Sequence, residues 1–177
     1  MLTESPGLRR AGAALLALLS LMLPPAAHAA PPDDEISANQ AIAAWTAFAA
    51  DPINELRQAP TFLRFIETHG GDVHVVINGN LLGFMQRDVP PAARAVLYAA
   101  FMGGNMRAQL ESGDVADDPV AGMAAAVNAY QFLKAGDGAL AVREMDYLDP
   151  HRGQASFAEA VQTLAAGEAF SAGPAPD

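Results

Sequence analysis

The sequence predicts an all-α fold, either a compact multi-helix orthogonal bundle or a short stack of helical hairpins. Three observations lead there. Apolar side chains recur at three- and four-residue spacing, as in Val120, Met123, Val127 and Tyr130. Proline and glycine punctuate these runs at short intervals, and at 177 residues the bundle is favoured over a solenoid. The chain has no cysteine, so its stability must come from a packed core, a metal or a partner.

Residues 1–29 read as a cleaved signal peptide. Arg9 and Arg10 precede an uncharged apolar stretch from Ala11 to Leu23, and Ala27-His28-Ala29 supplies the small-x-small pattern of a cleavage site. The stretch falls short of the ~20 residues that a membrane-spanning helix needs, and Pro24-Pro25 closes it. Cleavage is therefore expected rather than a stable membrane anchor. The residues flanking Arg9-Arg10 do not extend a twin-arginine pattern, so general secretion is favoured, to the periplasm of a Gram-negative bacterium or beyond it.

Residues 30–36, with two prolines and three acids, predict a disordered lead-in to a single helical domain over 37–167. Ser37 and Gln40 have capping-box spacing and open a helix that presents Ile42, Trp45 and Phe48 on one face. Asp51-Pro52 ends it and can start the next, with Asp51 as N-cap. Short helices are expected from Ile53, with Pro60 as an interruption, Phe62, Leu63 and Ile66 on an apolar face, and Gly70-Gly71 as a left-handed stop.

Residues 72–85 admit two readings. Val73, His74, Val75, Val76 and Ile77 followed by Asn78-Gly79 suggest a β-hairpin. A helix places Val73, Val76, Ile77, Leu81, Phe84 and Met85 on one stripe and needs no lone hairpin to be stable, so helix is preferred.

A longer helix is expected over 91–111, facing Val96, Leu97, Phe101 and Leu110 inward. Gly103-Gly104 either bends it or lets a neighbouring backbone come close. Asp118-Pro119 opens the clearest helix, which Gly136 terminates. A helix over 138–148 follows, then another that Ser156 and Glu159 cap by the same box spacing, with Phe157, Val161 and Leu164 inward. Residues 168–177 read as a disordered tail.

The formal net charge is −10, and loss of Glu4, Arg9 and Arg10 with the leader makes the remainder one charge more negative. This excess excludes nucleic acid and anionic lipid surfaces as natural partners and leaves cationic ones open.

Candidate chemistry is sparse. His69, Asp72 and His74 around Gly70-Gly71 could complete a metal shell, since two imidazoles and a carboxylate are a familiar first-row ligand set. The competing reading makes Asp72 a helix cap and His69 a residue favoured by the helix dipole. Glu144, Asp146, Asp149 and His151 could divide acid and base roles, against a reading of Asp149-Pro150 as turn chemistry. No nucleophile elbow, phosphate loop or calcium loop is present, so no catalytic residue and no cofactor is assigned. Phe84-Met85, Phe101-Met102 and Met106 could line an adaptable groove, or they are plain core.

The sequence thus predicts an exported acidic protein that acts by binding, with another envelope or secreted protein as partner. The alternatives are a small metal-dependent hydrolase using His69, Asp72 and His74, and a carrier of an apolar ligand in a helical pocket.

Overall fold

The structure, a computed structural model, describes residues 35–170. The signal-peptide segment, most of the expected lead-in and residues 171–177 lie outside the described residues. Six α-helices and three 3₁₀ turns make up the fold, with no strand among the described residues. We number the helices α1 (Ala38–Ala50), α2 (Ala59–Thr68), α3 (Pro91–Ser112), α4 (Pro119–Gly136), α5 (Arg143–Leu148) and α6 (Phe157–Ala165).

The capping box at Ser37 forms as its spacing requires. Gln40 N donates to Ser37 Oγ at 3.4 Å and Ser37 N donates to Gln40 Oε1 at 2.8 Å. α1 buries Ala41, Ala44, Trp45 and Phe48. Asp51 closes α1 rather than starting a helix, and its carboxylate accepts from Asn54 N and Asn54 Nδ2. After a 3₁₀ turn at Leu56–Gln58, Pro60 sits in the first turn of α2, where its missing N–H costs nothing, so it starts the helix instead of interrupting it. Trp45, Phe48 and Phe62 then join α1 to α2 with ring centroids 5.6–5.7 Å apart, Trp45 and Phe62 edge to face.

α3 is the central mast, about 33 Å long at 1.5 Å per residue, and it is buried all round from Ala99 to Met106. α1 and α2 pack against it, while α4 packs against it and carries α5 and α6. Gly103-Gly104 leaves α3 unbroken. A side chain at Gly103 would occupy the ring of Trp45, and one at Gly104 would stand 2.5 Å from Ala125 Cβ and 2.9 Å from Ala121 O. From the facing helix, a side chain at Gly122 would stand 2.8 Å from Phe101 Cδ2 and 2.9 Å from Phe101 O. The three glycines therefore set how closely the helices cross, which is the close-approach reading of the pair.

Residues 72–85 form neither the expected helix nor the hairpin. Positions 73–78 have no regular secondary structure, Asn78 Oδ1 accepts from Asn80 N and Leu81 N in a turn, and a 3₁₀ turn follows at Gly83–Gln86. Val73, Leu81 and Phe84 are buried, but Val76 and Ile77 are 46% and 47% exposed, so the helical stripe is broken. The backbone polar groups that a helix would pair internally are instead met by side chains from elsewhere. His74 N donates to Gln109 Oε1 at 2.8 Å, Gln109 Nε2 donates to His74 O at 2.9 Å, and Val76 N donates to Asp117 Oδ1 at 3.0 Å.

Three smaller expectations also change. The helix over 138–148 is confined to α5, because the hydroxyl of buried Tyr130 draws off the preceding backbone: Val142 N donates to it at 3.2 Å and Leu140 O lies 3.1 Å away. Ser156 makes no capping bond and turns to His151, 3.0 Å from its Nδ1. Gly70 and Gly71 are not left-handed, a conformation found instead at Gly113, Gly153 and Gly167. Phe170, the last described residue, packs edge to face on Tyr147 at 5.5 Å.

Candidate functional site

A groove of about 350 Å³ lies where α1, α3 and α4 meet. Its geometry follows from the glycine contacts. Trp45 is drawn in against Gly103, and the small residues that let α3 and α4 cross closely leave no bulk to fill the space beside the crossing. Trp45, Phe48 and Pro52 form one wall, and Ala108, Ala121, Ala124 and Ala125 line the opposite side. Arg107 and Glu111, paired at 2.7 Å, stand at the polar edge with Asn128. The Nε1 of Trp45 is buried without an acceptor among the described residues.

The residues singled out for a metal shell do not converge. His69 stacks on Phe65 with centroids 4.2 Å apart, and its Nδ1 lies 2.9 Å from Thr68 Oγ1 and 3.2 Å from Phe65 O. Asp72 is exposed in the turn that follows, with its N–H donating to His69 O, and caps no helix. His74 is held by its backbone on Gln109 and leaves its side chain exposed. Among the described residues no three His, Asp or Glu side chains are placed to share a metal ion.

Glu144, Asp146, Asp149 and His151 are dispersed into separate contacts. Glu144 is fully buried, with Arg87 Nη1 2.9 Å from its Oε1. That contact is out of line for a hydrogen bond, and Oε2 has no donor among the described residues. Asp146 accepts from Tyr130 Oη at 2.7 Å and from Lys134 Nζ at 3.3 Å. Burial pushes the Tyr130 phenol up, and the hydrogen bond to Asp146 adds to that; the same carboxylate raises Lys134. Asp149 pairs with Arg152 at 3.3 Å.

The chain matches no known protein family, no curated protein and no solved structure.

Of the Phe and Met residues considered as a groove lining, Phe84, Phe101 and Met106 are completely buried and Met102 nearly so, whereas Met85 is half-buried. Sequence reasoning missed this groove because half of its lining is alanine, which carries no periodic signal of its own. No helix among the described residues is long and apolar enough to cross a membrane.

Proposed function

We propose that this is an exported binding protein of the cell envelope, released from its leader after Ala29, that receives an apolar segment of another envelope or secreted protein in the groove between α1, α3 and α4. The observation that carries the reading is the groove itself, an aromatic and alanine-lined concavity with one charged edge. Such a lining suits an amphipathic segment that inserts small apolar anchors and leaves its polar side outside. The formal charge of −10 favours a partner with basic flanks.

The test is to express the chain with its leader, purify it from the envelope, and compare it with Ala125→Trp. Ala125 is half-buried, and it lines the groove but also touches Gly104, so Ala124→Trp serves as a second filling variant. The expected result is a mature mass beginning at Ala30 and a co-purifying envelope protein that Ala124→Trp loses while the helical circular dichroism and melting are kept. Undiminished capture by a folded Ala124→Trp protein would overturn the groove as the binding site, and a retained leader would overturn the export reading.

A further inference from the structure

A second cavity, of about 240 Å³, lies between the turns at 79–87, the start of α5 and the residues that follow α6. We propose that it binds a small monocarboxylate, with Arg143 as the anion's counter-charge; this site does not depend on the groove reading.

The cavity's walls are fastened before any ligand arrives. Asn80 Nδ2 donates to Ala165 O at 2.9 Å and Asn78 Nδ2 to the same oxygen at 3.4 Å, which ties the turn to the end of α6. Two guanidiniums line the space, Arg87 and Arg143, in a chain with only ten basic side chains against twenty acidic ones. Their states differ. Arg87 is committed to Glu144, whose side chain is 1% exposed and whose Oε1 lies where a side chain at Gly83 would be. The glycine is what admits that buried carboxylate to the cavity wall, with Arg87 Nη2 3.4 Å from the same point. Arg143 has no carboxylate within ion-pair distance among the described residues; its guanidinium carbon lies over the Phe170 ring, 3.6 Å from the centroid. A carboxylate could then meet the N–H edge of the fork, the geometry in which arginine binds two oxygens at once.

Charge selects the ligand class. Arg87 and Glu144 cancel, so among the described residues Arg143 is left as one uncompensated positive charge on the cavity, which suits one negative charge. A dianionic phosphate would leave an excess negative charge beside buried Glu144. Size and lining select the rest. Ligand clefts commonly enclose ~300–1,000 Å³, so this smaller space fits a fragment, and Leu164 with Phe170 offers its body an apolar wall.

The experiment titrates the purified full-length protein with acetate, butyrate, benzoate and inorganic phosphate by calorimetry, following the arginine Nε–H signals by NMR. Saturable 1:1 binding of at least one carboxylate is expected, at least tenfold weaker in Arg143→Ala and intermediate in Arg143→Lys, with phosphate failing to compete. Arg143 is exposed, so both variants should fold, and circular dichroism checks that they do. No saturable carboxylate binding, equal affinity in a folded Arg143→Ala protein, or displacement by phosphate would each overturn the proposal.

Discussion

The side-chain amide of Gln109 pairs with the backbone of His74 at both ends, accepting from its N–H at 2.8 Å and donating to its C=O at 2.9 Å. A glutamine on α3 thus does for an extended segment what a neighbouring strand would do. The same Nε2 reaches Asn105 Oδ1, which also accepts from Asp118 N, while Asn105 Nδ2 donates to Asp117 Oδ1 at 2.7 Å. Two buried amides therefore hold both the 73–77 segment and the turn that launches α4, and they bond each other.

Gln109→Ala removes the two part-buried bonds to His74 and the bond to Asn105 Oδ1, and leaves the N–H and C=O of His74 without these partners. At ~1 kcal/mol for each bond and ~1–3 kcal/mol for a buried group left unmet, the expected loss is about 2–4 kcal/mol. Urea unfolding should show it as a lower midpoint at constant slope. Faster hydrogen exchange at the His74 amide should accompany it, and an unchanged midpoint would show that the segment is anchored elsewhere.

Glycines in this chain should split into two classes on substitution by alanine. Gly104→Ala sets a methyl 2.5 Å from Ala125 Cβ and 2.9 Å from a backbone oxygen that cannot rotate away, for a cost of about 1–3 kcal/mol or more. Gly70→Ala meets nothing within 4 Å and needs no left-handed backbone. It should be neutral or stabilising by up to about 1 kcal/mol through the unfolded chain. Thermal melts of the two variants, measured side by side, test the contrast.

Tyr130→Phe should destabilise by about 1–3 kcal/mol, because Val142 N loses its acceptor inside the core. It should also change the alkaline limb. With its folded pKa raised above the ordinary 10.0, Tyr130 stabilises fully below that value, and this contribution is lost as pH rises from it through the folded pKa. The variant should therefore fall less steeply in that window, where Tyr98, raised by burial and by the charge of Glu67, keeps its share. Urea titrations across alkaline pH measure the slope.

At the acid end, the hydrogen bonds from Asn54 hold the Asp51 carboxyl below its ordinary 3.8. The stabilisation is present above that value and is lost as pH falls through the lowered folded pKa. Asn54→Ala should return Asp51 toward its ordinary value, read from the pH dependence of its side-chain carbon shift, with little effect on stability near neutral pH.

Much of the helical layout is legible locally. Ser37-x-x-Gln40 and Asp118-Pro119 act within one turn of chain, so their caps form whatever surrounds them. The same logic fails at Ser156, where His151 offers its hydroxyl a better partner than the backbone of α6. It fails again over 72–85, where the apolar spacing would suit a helix but Gln109 and Asp117 take up backbone N–H groups from outside the segment. The candidate sites follow the same division. His69, Asp72 and His74 are near in sequence yet separately engaged, whereas Arg87, Arg143 and Phe170 meet across more than eighty residues of chain.

The amino-acid order by itself determined that this chain is helical, where most of its helices begin, that it has no cysteine and that its net charge is negative, because caps, periodicity and composition act over one or two turns. Tertiary structure alone decided that Gly103, Gly104 and Gly122 are contact points, that Gln109 stands in for a strand, and which alanines wall a groove. These depend on which surfaces meet, and a glycine or an alanine carries no mark of its neighbour until the helices have crossed.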